Sequence, residues 1–127
     1  MAHLGELDVF AKTVYAEARG EPEEGQRWVA WVIKNRADMK RDYWGYTIKE
    51  VCLKPGQFEC WNGVTDIPIH EPGVYQSIHQ LCSKIYYGQE SVDPTGRCDH
   101  YNNPAKEGYP PWTENCVKDI IHSVLKR

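Results

Sequence analysis

Residues 15–22 read Tyr15-Ala16-Glu17-Ala18-Arg19-Gly20-Glu21-Pro22, and they join two segments of helical period. Before them, Leu4, Leu7, Phe10, Ala11, Val14, Tyr15 and Ala18 recur at spacings of three and four, so one apolar face runs along a helix over 4–19. Gly20 stands where a C-terminal cap belongs. After them, Pro22, Glu23 and Glu24 precede Trp28, Val29, Val32 and Ile33, with Lys34 and Arg36 further on. Proline and acids at the start and bases at the end predict a second helix. The octet is therefore a helix–turn–helix corner.

Glu17 lies beside the apolar face, three residues after Val14. A carboxyl half-surrounded by apolar groups loses solvation when charged, so its pKa is expected to rise. A general acid working near neutral pH needs that property. The plain alternative is a surface glutamate paired with Arg19 or Lys12.

Outward from the corner, Arg41 to Tyr46 reads as an aromatic loop. Thr47-Ile48-Lys49-Glu50 is a capping-box pattern that opens a short third helix. Pro55-Gly56 is a turn, and 57–65 has no helical period, which leaves a hairpin or an irregular loop. Pro72 starts a helix carrying Val74, Tyr75, Ile78, Leu81, Cys82 and Ile85, stopped by Gly88. Asp93-Pro94-Thr95-Gly96 is a turn signature. Residues 102–111 are too rich in proline for regular structure. Thr113 is expected to cap a last helix bearing Val117, Ile120, Ile121, Val124 and Leu125. The fold class expected is mainly α (α+β): four to five helices in one domain over 1–127, long loops, and strand confined to a short hairpin near 57–66 or 98–104.

Composition narrows the function. Lys and Arg number 15 against 18 Asp and Glu, for a net charge of −3, and no basic stripe forms, so no nucleic-acid partner is expected. No run of about 18 apolar residues predicts a membrane span. Met1 to Glu6 lacks the pattern of a secretory signal, so an export address is not expected in this stretch. The five cysteines, Cys52, Cys60, Cys82, Cys98 and Cys116, form no CxxC pair. Mostly free, buried thiols are expected, with one disulfide through Cys52 or Cys60 left open. The five histidines lack HExxH spacing, so no metal is expected. No Gly-x-Ser-x-Gly supports serine catalysis. A nucleophilic Cys60 or Cys98 stays open, because a fold can bring a distant histidine close.

The run Tyr15 to Pro22, then Glu24-Gly25-Gln26, then Val32-Ile33-Lys34-Asn35-Arg36, resembles the opening signature of the SleB/CwlJ-type cell-wall hydrolases. Lys54-Pro55-Gly56-Gln57-Phe58-Glu59-Cys60 is similar to that family's Pro-Gly-Gln-Phe segment. Asp93-Pro94-Thr95-Gly96 and Tyr101-Asn102-Asn103-Pro104 resemble its later blocks, in the same order. The resemblance implies a lysozyme-like, α-rich domain that cleaves peptidoglycan glycan strands between N-acetylmuramic acid and N-acetylglucosamine, without a cofactor. It places the essential acid at Glu17, with Glu21 as the fallback. The chain departs from the family pattern at Arg97, where a second glycine is usual, and at Asn102, where a histidine is usual. It also departs at Trp28 and Trp31, where small residues are usual, and at Ser123, in place of a Gly-rich stretch with a histidine.

Around the acid, Gln57 and Phe58 are candidates for one wall of a sugar subsite, or else a surface amide and a core ring. Tyr101, Asn103 and Trp112 are candidates for the opposite wall. Trp28 and Trp31 are read as structural. Two outcomes are open. Water as acceptor gives a muramidase, which normally needs a second carboxylate. The muramyl 6-hydroxyl as acceptor gives a lytic transglycosylase, the ending the resemblance favours. A non-catalytic wall- or oligosaccharide-binding module and a stem-cutting amidase or peptidase are the competing readings. The protein is expected to be a monomer. It is expected to act at the cell wall, either as a bacteriophage lysis enzyme held in the host cytoplasm until release or as part of a longer exported protein.

Overall fold

The structure, a computed structural model, describes residues 4–97 in full and the backbone of 101–102, 117–118 and 125–126. Helix α1 spans Glu6–Ala18, α2 Glu23–Met39, α3 Ile48–Leu53 and α4 Pro72–Tyr86, with a 3-10 turn at Glu59–Trp61. The fold is mainly helical, as the periodicity predicts. α1 is the hub and packs against α2, α3 and α4. Its inner face, with Phe10, Val14 and Tyr15, meets Val29, Ile33, Val51, Ile78 and Ile85 in one core. Trp28 and Trp31 are buried there or beside it, which fits their structural reading. Among the described residues no helix is long and apolar enough to cross a membrane.

The local signals account for most helix ends. Thr47 caps α3, its Oγ1 accepting from the Glu50 N–H at 3.1 Å. Pro72 occupies the first turn of α4, and Gly88 just beyond its end takes φ +76°. The corner after α1 differs. Arg19, not Gly20, is the cap, and its backbone is right-handed at φ −58°. The glycine there is not needed for a left-handed turn.

The strands also differ from expectation. None lies between 57 and 66, whereas one falls within 98–104, the other place expected. β1 (Tyr101–Asn102), β2 (Val117–Lys118) and β3 (Leu125–Lys126) form an antiparallel sheet in the order β1-β3-β2. Residues read as the last helix therefore supply two extended pieces. Val117, Ile120, Ile121 and Val124 are β-branched, and such side chains favour a pleated surface over a helix. β1 runs beside α2.

The Asp93–Gly96 turn is held to α2. Asp93 Oδ1 accepts from Thr95 N and Oγ1 at 2.8 and 2.7 Å, and Oδ2 accepts from Arg97 N at 2.8 Å and Asn35 Nδ2 at 2.9 Å. Burial would raise this carboxyl's pKa, but the bonds from Thr95, Asn35 and Arg97 outweigh it and hold it below the ordinary 3.8. Glu6 behaves alike: burial opposes, and bonds from Lys49 N and Tyr86 Oη hold it below 4.5. A depressed folded-state pKa stabilises above the unfolded value and ceases to do so as pH falls through the folded one. The denaturation midpoint is therefore expected to drop as pH falls below about 4.5. Asp93→Asn should weaken that acid dependence while lowering stability at neutral pH by about 1–3 kcal/mol, measured by urea unfolding.

Arg97, where the family usually has glycine, takes φ +68°. A left-handed L-residue costs about 1–2 kcal/mol, and glycine avoids that at a smaller entropic cost. Arg97→Gly keeps the N–H to Asp93 and is expected to stabilise the protein by about 0.5–1 kcal/mol in the same assay.

Candidate active site at the α1–α2 corner

Glu17 is in the last turn of α1, half-buried, flanked by the fully buried Val14 and Ala18. It shares a stripe of α1 with Thr13, one turn earlier. Thr13 Oγ1 donates to Val9 O at 2.7 Å and accepts from Trp61 Nε1 at 2.9 Å. That bond pins the 3-10 turn against α1 just below Glu17. Cys60, the neighbour of Trp61, feels the carboxylate: burial first, then the charge of Glu17, push its thiol up to about 12. A thiol so disposed has almost no thiolate at neutral pH, which argues against Cys60 as a nucleophile. Cys52 is fully buried and is also pushed up to about 12 by burial. Cys52, Cys60 and Cys82 are unbonded, so no disulfide joins them. Cys98 and Cys116 lie outside the described residues.

Tyr15 anchors the opposite side of the same turn. It is 1% exposed, and its ring meets Tyr75 edge-on at 5.8 Å. Its hydroxyl oxygen accepts from the backbone N–H groups of His70 and Glu71 at 3.1 and 3.0 Å, which fixes the entry to α4. The Arg19 guanidinium lies 5.7 Å from the Tyr15 ring centroid and 3.7 Å from Glu71 Oε1.

Glu21, the fallback acid, is half-buried on the turn itself. Its stem lies over Gly25, where a Cβ would stand only 3.1 Å from Glu21 Cβ. Gln26 completes the corner: its Nε2 donates to Ala18 O at 3.3 Å and to Glu21 O at 3.0 Å.

The other candidates separate. Phe58 is 3% exposed and belongs to the core, with the Arg36 guanidinium 5.7 Å from its ring centroid. It is not placed to stack on a pyranose, and of the two readings of Phe58 the core ring is the one observed. Gln57 is half-buried in the turn after α3. The side chains of Tyr101, Asn103 and Trp112 lie outside the described residues, and only the backbone of Tyr101 is placed, in β1. Among the described residues, Trp61 is an aromatic residue held next to the Glu17 stripe. No local pattern marks it, because 48 residues separate it from Thr13.

A cavity of about 510 Å³ opens elsewhere, between α3 and the loop before it, with Tyr46 and Leu53 on its walls. Lys49, which also lines it, donates its N–H to Glu6. Glu6 precedes Glu17 by eleven residues, about 16 Å along α1. That cavity is not part of the corner.

A family model described as Cell Wall Hydrolase matches residues 20–124. A spore cortex-lytic enzyme of Oceanobacillus iheyensis is 33% identical over 118 residues, which cover 91% of this chain and 39% of that protein. The chain thus spans about two fifths of the length of that relative. Two solved structures share the fold at 24% identity. The catalytic domain of the germination-specific lytic transglycosylase SleB from Bacillus anthracis superposes with a TM-score of 0.71, over 98% of this chain and 95% of that one. The catalytic domain of the Bacillus cereus SleB protein superposes with a TM-score of 0.65, over 95% and 88%.

Proposed function

Because the chain belongs to the cell wall hydrolase family, a peptidoglycan-cleaving family, we propose that it cuts the glycan strand between N-acetylmuramic acid and N-acetylglucosamine, with Glu17 as its acid. The observation that carries this reading is the position of Glu17. It is a half-buried carboxyl in the last turn of α1, beside buried Val14 and Ala18 and next to the turn that Trp61 pins to Thr13.

Glu17 protonates the bridging oxygen as the bond to the muramyl C1 breaks through an oxocarbenium-like state. The muramyl 6-hydroxyl then attacks C1, and its proton passes to the Glu17 carboxylate. The proton lent to the leaving sugar is thereby restored, and the new end is a 1,6-anhydro ring. This sequence needs one carboxyl, whereas attack by water normally needs a second to activate it. The fold shared with a domain named as a lytic transglycosylase supports the one-carboxyl route.

Trp61 supplies the aromatic surface beside the acid, with its indole held by Thr13. Trp61→Ala in an otherwise inactive Glu17→Gln background should bind soluble glycan chains roughly 3- to 10-fold more weakly by calorimetry, the scale of one stacked ring. Trp61→Phe should retain most of the affinity, and equal loss in both variants would remove the ring from the site.

The reaction class is tested by digesting purified peptidoglycan and identifying the fragments by mass spectrometry. Anhydromuramyl ends are expected. Reducing muramic ends would convert the enzyme to a muramidase, and free peptide stems with intact glycan would overturn the proposal.

A further inference from the structure

The α1–α2 corner lacks the usual helix terminator. Helices very commonly close with a left-handed residue, where the N–H groups at and just after it satisfy the last carbonyls. Here Arg19 remains right-handed, so those carbonyls need another partner. Two donors meet Ala18 O: the Glu21 N–H at 2.9 Å and Gln26 Nε2 at 3.3 Å. The same Nε2 also reaches Glu21 O at 3.0 Å. An amide nitrogen has two hydrogens, and each has its own carbonyl, one on either side of the turn. Gln26 is only 8% exposed and sits in the first turns of α2, so water does not readily replace it. The end of α1 is thus capped by a side chain from α2, and the residue bonded is the immediate neighbour of Glu17.

We infer that Gln26 is a positioning residue for Glu17, setting the angle of the last turn of α1, and hence of the acid, by bridging Ala18 O and Glu21 O. The inference rests on the role proposed above for Glu17. It follows from how steeply catalysis depends on placement: a shift of about 1 Å in a reacting group can cost on the order of 100-fold in rate. Without the bridge, Ala18 O keeps the Glu21 N–H but loses its tie to α2, and Glu21 O loses its Gln26 donor, so the last turn of α1 is held to α2 less firmly. Gly25 serves the same corner, since any side chain there would press on Glu21.

The test uses the whole chain, with soluble peptidoglycan glycan chains as substrate and kcat and KM measured separately, well below each variant's melting temperature. Gln26→Leu keeps the bulk and loses both donors. Its kcat is expected to fall about 10- to 100-fold with KM little changed. Gln26→Glu gives a second readout. As a carboxylate it has no hydrogen to offer and faces two carbonyl oxygens; as a carboxylic acid it donates one bond. The ratio of its kcat to that of the unsubstituted protein should therefore rise as pH falls. A purely structural role lowers the melting temperature and leaves kcat intact and the ratio flat with pH, and that result overturns the inference. If Gln26→Leu does not fold, the pH ratio of Gln26→Glu decides alone. Failure of the underlying reading is separable, because then the unsubstituted protein releases no newly ended glycan fragments, and the inference falls with it.

Discussion

Replacing Glu17 by glutamine is expected to reduce wall lysis by at least about 100-fold, and by up to about 10,000-fold, while the melting temperature scarcely moves. The two side chains have nearly the same shape, so the half-buried position beside Val14 and Ala18 is filled as before. What disappears is the proton the leaving sugar requires. The range is the usual contribution of a positioned general acid. Turbidity loss of a peptidoglycan suspension, read alongside thermal unfolding, measures both quantities. Glu21→Gln is the control and should keep far more activity, since Glu21 lies on the turn over Gly25, outside the stripe that Thr13 and Glu17 share. The reverse pattern would transfer the role to Glu21. Full lysis by both variants would end the acid-catalysed reading of this corner.

Tyr15→Ala is expected to be the most damaging change to stability, at about 3–5 kcal/mol. Tyr15 is 1% exposed in the centre of the core, so truncation leaves a cavity between α1 and α4. It also strands the N–H groups of His70 and Glu71, which have Tyr15 Oη as acceptor at 3.1 and 3.0 Å. Tyr15→Phe separates the two effects. It keeps the ring and removes only the acceptor, for an expected loss of about 1–3 kcal/mol. Urea unfolding of both variants checks the division. A Tyr15→Phe protein as stable as the original would mean that those N–H groups find water, and the hydroxyl would lose its part in fixing the start of α4.

The parts of the fold that were legible share a physical cause. α1, α2 and α4 each bury one apolar stripe, and a stripe on a helix is written at spacings of three and four. Thr47 and Pro72 mark their helix starts through purely local bonds, so the sequence alone locates them. Val117 and Leu125 follow the same spacing yet stand in β2 and β3, because a β-branched or apolar residue satisfies either period and the partner strand decides. Gly20 misleads for a related reason: glycine permits a left-handed cap without requiring one. At the site, Glu17 is legible from the face it shares with Val14, and from the resemblance that picks it out. Phe58 and Trp61 are not, because which of the two rings turns into the core depends on Arg36 and Thr13, far away in the chain.

The order of the small sheet bears on how the molecule assembles. β3 follows β1 and β2 in sequence yet lies between them, with Tyr101 opposite Lys126 and Val117 opposite the same lysine on its other edge. Neither outer strand has a backbone partner in the sheet until β3 arrives. The helices, by contrast, nucleate from contacts close in sequence, and closing distant pairings is the slower event. On a ribosome, or after dilution from denaturant, the helical core has the means to condense first, with β1 waiting beside α2. Removing Leu125 and Lys126 would leave β1 and β2 as two exposed edges, the kind of surface that pairs with other chains and aggregates.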